Sequence, residues 1–464
     1  MATIGMSLFL ATIDGSIVNV ALPTLVRELQ TDFPTVQWVV LAYLLTQTTL
    51  MLSIGRLGDM IGKKQIFSAG FVVFTVGSVL CGLAPTVYWL IAFRVVQAVG
   101  ASMVLALGFA IVTESFPPQE RGRALGINGS LVSVGIVIGP VIGGFIIENL
   151  NWNWIFFVNL PVGIIGTLMA MRFIPDFHPE GGQSFDYAGA FTLFISLLAL
   201  LLGLTLGQNL GLTDSRVLSL LGLWLVFLVL FVLIELRVNQ PMIDLRLFRT
   251  TLFTVNISTG LITFICIAGV LILVPFYLEN VLGYSTQEVG ILFAIVPIAL
   301  GIMAPISGSL SDRFGTRPIT ITGLVIVAIG YLTMSTLSAE TTAVGYLLRL
   351  APIGIGMGIF QSPNNSAIMG AVPPTRLGIA SGLLAITRTL GQTTGIALLG
   401  AFWALRTLAL HNAPLPGGAT SAPAIFQLGG MQDTFQVAAI LIGAALMISL
   451  TGLYYERLAV QAVP

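Results

Sequence analysis

The amino-acid sequence predicts an all-α protein that crosses a membrane many times. Of its 464 residues, 56% are hydrophobic and only 8% are charged, whereas a soluble domain is typically about 25% charged. The apolar residues stand in runs of about 20, the length that a helix needs to cross a hydrocarbon core about 30 Å thick. Because these runs are continuous and do not alternate with polar residues, they argue against a transmembrane β-barrel.

Fourteen apolar runs follow one another along the chain, and we expect each to form one transmembrane helix. Several connections have only a few residues, which makes most neighbouring helices antiparallel. The predicted spans are 4–27, 37–56, 66–86, 88–114, 122–148, 153–174, 188–208, 216–237, 252–279, 286–310, 318–338, 343–370, 377–404 and 434–456.

The distribution of basic and aromatic residues orients these spans. Most Lys and Arg residues lie on connections that are cytoplasmic if the N-terminus is inside, as the positive-inside rule requires. Trp89, Trp152 and Tyr284 then fall near the outer ends of spans, where amphipathic rings favour the interface. We therefore predict a multi-pass protein of the cytoplasmic (inner) membrane with both termini in the cytoplasm.

Composition and motifs also exclude several classes of function. Lys plus Arg and Asp plus Glu each number 19, so no charge excess favours a nucleic-acid partner. The two cysteines, Cys81 and Cys266, lie far apart in apolar runs, and the chain has two histidines, so we expect no disulfide framework and no metal site. No G-x-x-x-x-G-K-[ST] sequence indicates a nucleotide-driven motor, and no nucleophile elbow is evident. We expect neither an enzyme nor a cofactor.

An internal repeat divides the chain into two similar halves. Glycines and polar residues recur in the same order in both halves, and one of these matches places Arg94 against Arg349. Such a repeat predicts two six-helix bundles, 1–174 and 251–464, joined by a linker at 175–250 that holds an inserted two-helix hairpin. The matched segments are 55–66 with 308–319, 93–103 with 348–358, 117–126 with 373–382, and 135–144 with 391–400.

Charged residues inside the spans are the first candidates for function. A charge in the hydrocarbon costs roughly 2.5–3.5 kcal/mol on insertion scales, so such side chains should face the bundle interior. Asp14 is the best candidate to carry a proton, because a carboxylate in a low-dielectric cavity can bind one near neutral pH; the alternative is a fixed salt bridge with Arg94. Arg94 either tunes Asp14 or bonds to carbonyl groups of a neighbouring helix, and Gln97 lies on the same face one turn later.

Other polar residues within spans either line a substrate cavity or bridge neighbouring helices. The candidates for the cavity are Gln47, Gln97, Asn128, Tyr277, Gln361 and Arg388.

A glycine strip marks the fifth predicted span. Gly135, Gly139 and Gly143 recur every four residues, which lets a neighbouring helix approach closely. Pro140 removes one backbone hydrogen bond and bends the helix, and Gly144 completes the pattern G-x-x-x-G-P-x-x-G-G. The alternative interpretation is ordinary tight packing of membrane helices.

The cytoplasmic connection between the second and third spans is the candidate gate. An ion pair that forms in only one conformation would latch that state; alternatively, the basic residues only hold the loop inside. The candidate gate residues are Gly55, Arg56, Asp59, Gly62, Lys63 and Lys64, with Asp312 and Arg313 in the repeated copy.

These motifs resemble those of the major facilitator superfamily. GRLGDMIGKK (55–64) looks like its signature loop, FRVVQAVGAS (93–102) like its fourth-helix arginine motif, and GIVIGPVIGG (135–144) like the antiporter motif of drug exporters. IDGSIVNVALP (13–23) and VPFYLENVLGYS (274–285) resemble segments of the fourteen-helix drug–proton antiporters. The resemblance covers nearly the whole chain.

The resemblance implies a major facilitator fold with fourteen helices, in which two six-helix bundles rock around a central site. It implies export of lipophilic, often cationic compounds in exchange for protons, with Asp14 as the acidic first-helix residue and Arg94 as the fourth-helix arginine. Met60 stands where the signature loop usually has a basic residue, and Arg313 of the second copy is a candidate to compensate.

The leading hypothesis is thus a proton-coupled multidrug exporter driven by the proton gradient, whose partners are lipophilic substrates, protons and the bilayer. A periplasmic adaptor would join it in a double-membrane bacterium. The alternative is an exporter dedicated to one metabolite, lipid or siderophore. A membrane receptor or scaffold is less favoured, because it need not keep charges such as Asp14 and Arg94 in its spans.

Overall fold

The structure is a computed structural model that describes residues 2–115, 118–175, 186–211, 213–238, 241, 245–371, 377–412, 415 and 418–461. Every regular element in this part of the chain is helical. Two short 3₁₀ helices, Leu245–Arg249 and Gly418–Ser421, and one π-helix, Tyr277–Val281, accompany the α-helices. The α-helices are α1 (Ala2–Glu28), α2 (Phe33–Val36), α3 (Trp38–Ile61), α4 (Lys63–Gly82), α5 (Val87–Ser115), α6 (Pro118–Asn149), α7 (Trp154–Phe157), α8 (Asn159–Phe173), α9 (Tyr187–Leu210), α10 (Ser215–Glu235), α11 (Thr251–Phe276), α12 (Thr286–Phe293), α13 (Ile295–Phe314), α14 (Thr316–Met334), α15 (Ala343–Gly370), α16 (Leu377–His411) and α17 (Ala424–Gln461).

Within the described residues, twelve helices are long and apolar enough to cross a membrane. The predicted spans 37–56 and 122–148 correspond to α3 and α6, which are not among the twelve; α6 contributes only a shorter apolar stretch, Val134–Asn149. The chain is therefore an all-helical multi-pass membrane protein. The expected count of fourteen spans is not reached in this part of the chain and stays a prediction.

The described helices fall into two compact units. The first comprises Met1–Met242 with Gly283–Ala294, and the second comprises Ile243–Leu282 with Ile295–Pro464. The hairpin of α9 and α10 is grouped with the first unit, and so is α12. The domain boundaries predicted from the sequence, after 174 and after 250, stay predictions.

The internal repeat is visible in how α4 packs on α5 and α14 packs on α15. A Cβ atom added to Gly100 would lie 2.7 Å from the Gly70 carbonyl oxygen, and one added to Gly356 would lie 2.8 Å from the Gly323 carbonyl oxygen. Because backbone meets backbone at both places, only glycine allows the approach. The two units therefore use the same interlocked glycines at equivalent positions.

These contacts correct the match between Arg94 and Arg349. A Cβ atom on Gly77 would meet the backbone nitrogen of Gln97 at 2.7 Å, and one on Gly330 would meet the backbone nitrogen of Ile353 at 2.9 Å. Gln97 is thus equivalent to Ile353, which puts Arg94 opposite Leu350, one residue beyond Arg349. The sequence does not show this offset of one position, because the residues between each arginine and the next glycine are almost all apolar and do not fix the alignment.

Two glycine turns at equivalent places separate further pairs of helices. Gly62, between α3 and α4, has φ 124°, and Gly315, between α13 and α14, has φ 86°. Residues with a Cβ rarely adopt such values, so glycine is needed for the chain to break and resume a helix there. This supports the equivalence of the two loops that the sequence matched.

Cys81 in α4 and Cys266 in α11 are both free thiols and are fully buried. The Cys81 Sγ lies 3.8 Å from the Gln97 side-chain oxygen, and the Cys266 Sγ lies 3.7 Å from the Ala438 carbonyl oxygen. They lie in different units.

Candidate functional site

Asp14 lies in the middle of α1, and its carboxylate is buried inside the first unit. The residue is 1% exposed, and its Oδ2 atom accepts a hydrogen bond of 2.6 Å from Nη1 of Arg94 on α5. Arg94 is also 1% exposed. The two intramembrane charges that the sequence singled out in the first half therefore form one buried ion pair.

The other carboxylate oxygen of Asp14 is held by two side-chain amides. Gln97 on α5 donates to Oδ1 at 2.7 Å, and Asn159 at the start of α8 donates to the same atom at 2.8 Å. Both amides also reach the Ser78 hydroxyl on α4, at 2.8 Å and 3.4 Å. The Asp14 carboxylate thus accepts hydrogen bonds from three side chains, and the cluster connects α1, α4, α5 and α8.

The Arg94 guanidinium is equally well partnered. Its Nε atom donates to the Val39 carbonyl oxygen of α3 at 2.9 Å, and Nη1 donates to the side-chain oxygen of Gln97 at 2.6 Å. The Cζ atom lies 4.1 Å from the centre of the Tyr43 ring, in cation–π contact. A fifth helix, α3, therefore joins the network through Arg94.

This network makes the protonation of Asp14 a structural event. The Asp14 carboxylate accepts hydrogen bonds from one guanidinium and two amides on two other helices. If Asp14 takes up a proton, Arg94 becomes an uncompensated buried charge, whose cost drives rearrangement. An ion pair that never exchanges a proton would have the same geometry as one that does. The role of Asp14 as proton carrier therefore stays a prediction.

The glycine strip of α6 packs directly on α1, beside Asp14. A Cβ atom on Gly135 would collide with the Thr12 hydroxyl, one on Gly139 would collide with the Ser16 hydroxyl, and one on Gly143 would lie 3.1 Å from Ile17. The Ser16 hydroxyl also donates to the Gly135 carbonyl oxygen at 3.4 Å. The strip therefore lets α6 lie against the helix that carries the buried acid.

The last glycine of the same motif faces a different helix. A Cβ atom on Gly144 would lie 2.5 Å from the Thr286 carbonyl oxygen of α12, and one on Gly290 of α12 would collide with the Pro140 carbonyl oxygen. The motif thus gives α6 two glycine-lined contacts within the first unit, one with α1 and one with α12.

The structure describes only some of the candidate gate residues in full. The side chains of Arg56 and Asp59 lie outside the described residues, although their backbone belongs to α3. Lys63 is 9% exposed, Lys64 is half-buried, and a Cβ atom on Gly55 would meet open space. In the second copy, Asp312 and Arg313 are both exposed, and Arg313 lies over the Phe314 ring at 5.5 Å. The predicted latch stays a prediction.

The residues proposed to line a cavity do not share one environment. Gln97 belongs to the Asp14 network, whereas the Tyr277 hydroxyl donates to the Ser338 carbonyl oxygen at 2.7 Å and its ring stacks on Tyr346. Gln47 is buried in α3, and Gln361 on α15 and Arg388 on α16 are half-buried. The Asn128 side chain lies outside the described residues.

Three residues of the network escaped the sequence analysis: Tyr43, Ser78 and Asn159. Asn159 carried a usable signal, since it is an amide inside the predicted span 153–174, as Gln47 is in another span. Ser78 and Tyr43 are too common in membrane helices to stand out. Only the packing of α3, α4 and α8 around α1 identifies them.

A family comparison shows which kind of protein carries this network. A model described as Major Facilitator Superfamily matches residues 4–396, most of the chain. The chain belongs to the major facilitator superfamily. A major facilitator protein is a membrane transporter and not an enzyme, and transporters are what its relatives are called.

Three relatives cover most of the chain. It is 38% identical over 400 residues to the riboflavin transporter RibZ of Clostridioides difficile, which spans 85% of this chain and 86% of that protein. It is 32% identical over 436 residues to the multidrug transporter protein MdtP of Bacillus subtilis, covering 92% and 80% of the two chains. It is 33% identical to the multidrug resistance protein Stp of Mycobacterium tuberculosis, covering 88% and 76%.

Solved structures show the same fold. A bacterial homologue of the human lysosomal transporter Spinster, in an inward-facing and unoccupied conformation, gives a TM-score of 0.69 at 18% identity and covers 98% of this chain and 97% of that chain. A POT family transporter in complex with 5-aminolevulinic acid also gives 0.69, at 14% identity, covering 98% and 95%. At these identities the likeness establishes the major facilitator fold alone.

Proposed function

We propose that this major facilitator transporter exports lipophilic small molecules across the cytoplasmic membrane in exchange for protons. The observation that carries the proposal is the buried Asp14–Arg94 pair, in which one carboxylate is bonded to side chains of α5 and α8. Neutralising Asp14 changes contacts on several helices at once, and coupling between a proton and a conformational change requires such a link.

The coupling runs in a defined order under this proposal. A proton enters from the outer side and neutralises Asp14, the substrate leaves outward, and the proton is released to the cytoplasm. Each charge that crosses gains about 2.3 kcal/mol per 100 mV of membrane potential, comparable to a concentration ratio of about 50-fold. A fourteen-helix arrangement with cytoplasmic termini, alternating between two access states, belongs to the same proposal.

The names of two relatives support a broad substrate range. MdtP and Stp are both called multidrug proteins, and each covers more than four fifths of this chain. The sequence alone also predicts cationic substrates, because an ionised Asp14 would attract them. Because Arg94 already neutralises Asp14, we propose lipophilic substrates without a requirement for positive charge.

A second candidate function is transport of one metabolite. It is favoured by the 38% identity with a protein named as a riboflavin transporter, which covers 86% of that protein. Under this alternative the same proton-linked machinery would serve a single aromatic compound, and a flavin is the first one to test.

The test is substrate-dependent proton flux in proteoliposomes that contain the full chain. We would add a panel of lipophilic dyes and drugs, with riboflavin beside them, and compare wild type with Asp14→Asn. The Asn side chain keeps the size of Asp14 but cannot be ionised. We expect substrate-dependent flux in wild type and none in the variant, with the variant still folded by size-exclusion chromatography.

Cys266→Ala is the matched control, because Cys266 is also fully buried on a membrane-spanning helix but has no charged partner among the described residues. Full proton-driven transport by Asp14→Asn would refute the assignment of Asp14. Flux with riboflavin alone would select the second candidate, and flux with many compounds would select the first.

A further inference from the structure

Among the described residues, Arg388 on α16 is an arginine without a partner. Its side chain is half-buried, yet within the part of the chain that the structure describes it makes no hydrogen bond and no ion pair. Arg94, by contrast, makes three hydrogen bonds and a ring contact. A guanidinium has five N–H donors and strongly prefers to satisfy them.

Arg388 lies on the face of α16 that packs against α11. Gly391 lies three residues after Arg388 and Gly395 lies seven residues after it, so both glycines share its face of the helix. A Cβ atom on Gly391 would lie 3.0 Å from the Leu261 carbonyl oxygen of α11, and one on Gly395 would collide with the Ile265 carbonyl oxygen. Arg388 is therefore directed toward protein and not toward lipid.

A second polar group that lacks a full set of partners among the described residues reaches α11 beside Thr387, the chain neighbour of Arg388. Thr387 and Asn364 both approach Gly260 of α11: a Cβ atom there would lie 3.9 Å from Thr387 Cγ2 and 3.3 Å from Asn364 Nδ2. Asn364 is 3% exposed, its Nδ2 donates to the Asn256 carbonyl oxygen at 3.2 Å, and its Oδ1 has no hydrogen-bond partner among the described residues. A buried carbonyl oxygen in this state can accept a hydrogen bond from a water or from a ligand.

Arg94 and Arg388 thus differ in their charged partners. In the first unit, Asp14 and Arg94 cancel each other. In the second unit, Arg388 adds a positive charge that no described side chain offsets. A charge inside a membrane-spanning segment is costly and marks a path for a substrate or an ion, and a guanidinium pairs best with a carboxylate or phosphate, through two parallel hydrogen bonds.

We propose that Arg388, with Asn364 nearby, forms a subsite in the second unit for an anionic group, a carboxylate or a phosphate, on the transported molecule. The inference rests on the proposed export function and names its substrate class: amphipathic organic anions. The unsatisfied Asn364 oxygen suits a hydroxyl or N–H donor on the same molecule. A lipid phosphate has the same chemistry as the substrate group, and the experiment must separate the two sources.

The test compares two dyes with similar ring systems and opposite charge, fluorescein as the anion and tetramethylrosamine as the cation. The full chain is placed in phosphatidylcholine vesicles, and the initial rate of dye movement driven by a pH gradient gives KM for each dye. Fluorescence anisotropy with purified protein gives Kd without any need for transport. The variants are Arg388→Gln, Arg388→Lys and Asn364→Asp.

We expect Arg388→Gln to raise the fluorescein KM and Kd about tenfold or more, the range for losing a hydrogen-bonded charge, and to leave tetramethylrosamine unchanged or improved. Arg388→Lys should retain part of the affinity for fluorescein, since lysine keeps the positive charge but cannot make two parallel hydrogen bonds to a carboxylate. Asn364→Asp should weaken fluorescein and favour tetramethylrosamine.

Arg349→Gln is the control, because Arg349 lies in the same unit but already bonds to Thr336 and to the Gly345 carbonyl oxygen. We expect it to change neither dye. The thermal unfolding temperature of every variant would be compared with that of wild type, to separate a loss of binding from a loss of fold.

Three results would overturn the subsite. Fluorescein that neither binds to nor is moved by wild type would do so, as would equal affinities in wild type and Arg388→Gln. Stabilisation by phosphatidylglycerol that depends on Arg388, without a fluorescein effect, would assign the anion to lipid. The proposed function fails differently: no dye or drug would move with protons, even if fluorescein binding still depended on Arg388.

Discussion

In the first unit α1 carries Asp14 beside the glycine strip of α6, and in the second unit α11 carries Cys266 beside the matching strip of α16. A Cβ atom on Gly139 would lie 3.2 Å from the Ile13 carbonyl oxygen, and one on Gly395 would meet the Ile265 carbonyl oxygen. Asp14 and Cys266 each follow the contacted residue directly. The same close helix contact therefore holds an acid in one unit and a thiol in the other.

Three further members of the network, Ser78, Arg94 and Gln97, are replaced in the same way. The four matched side chains of the second unit are fully buried, and none of them carries a charge. The equivalent pairs are Asp14 with Cys266, Ser78 with Tyr331, Arg94 with Leu350 and Gln97 with Ile353.

The comparison teaches that the fold does not need the charges. The glycine interlocks build the same helix packing twice, once around an ion pair and once around uncharged side chains. Because a buried ion pair is weak evidence for stability and an apolar set of similar volume often serves as well, the charged network is better explained by function than by architecture.

The largest expected effect comes from removing one charge of the pair. Asp14→Ala leaves Arg94 buried and unpaired, which should lower the free energy of unfolding by about 3–5 kcal/mol. Cys266→Ala, at the equivalent position, should lower it by only about 1 kcal/mol. Unfolding of the purified proteins in detergent by sodium dodecyl sulfate titration measures both.

The double variant Asp14→Ala/Arg94→Leu imitates the second unit and should recover most of that loss, since no unpaired charge remains. Equal losses for Asp14→Ala and Cys266→Ala would show that the two cores do not differ in the way described.

Filling the shared glycine contact is the next largest effect. Gly139→Leu drives a side chain into Ser16 and should lower the free energy of unfolding by about 3 kcal/mol and impair transport. Gly395→Leu should be as harmful, because it meets the α11 backbone. Gly443→Leu is the control, since a Cβ atom there meets open space within α17. Normal dye transport by Gly139→Leu would reduce the strip to ordinary packing.

A polar side chain moved into the apolar core should have an intermediate effect. Ile353→Gln places at the equivalent position the amide that Gln97 supplies in the first unit, but without Asp14 and Ser78 to receive it. An unsatisfied buried amide should lower the free energy of unfolding by about 2 kcal/mol. The isosteric Ile353→Leu is the control. If the Ile353→Gln protein were as stable as wild type, water or another polar group would have to satisfy the amide in this core.

The smallest effect is expected at Arg349. Its guanidinium donates to the Thr336 hydroxyl at 3.1 Å and to the Gly345 carbonyl oxygen at 3.0 Å, near the start of α15. Arg349→Gln should change the free energy of unfolding by no more than about 0.5 kcal/mol, whereas Arg94→Gln leaves Asp14 short of its cation. A loss at Arg349 as large as that at Arg94 would restore the alignment that pairs the two arginines.

The sequence was sufficient for the helical membrane architecture and for the centre of the network. Asp14, Arg94 and Gln97 stand out because charge and amide groups are rare in apolar runs and costly to bury. The glycine strip was found by its four-residue spacing, although the sequence could not say that α1 is its partner. The spacing of residues along one helix does not identify the neighbouring helix.

Other features depended on packing that the sequence does not encode locally. Asn159 lies far from Asp14 along the chain, and only the placement of α8 against α1 and α4 brings its amide to the carboxylate. The register between α5 and α15 needed the glycine contacts, because Leu350 and Arg349 adjoin each other in apolar surroundings. The contact between Arg94 and Asp14, which removes the reason to expect cationic substrates, also depends on this packing.

The burial of Cys81 and Cys266 makes the natural chain a ready background for site-directed labelling. Maleimides and methanethiosulfonates attack exposed thiolates and pass over fully buried thiols, so neither native residue has to be replaced. Cysteines introduced at Tyr88 and Val344, which are 72% and 64% exposed and belong to different units, would each accept a spin label. Double electron–electron resonance would then measure the distance between the two labels, with and without a proton gradient, and so follow the transport cycle.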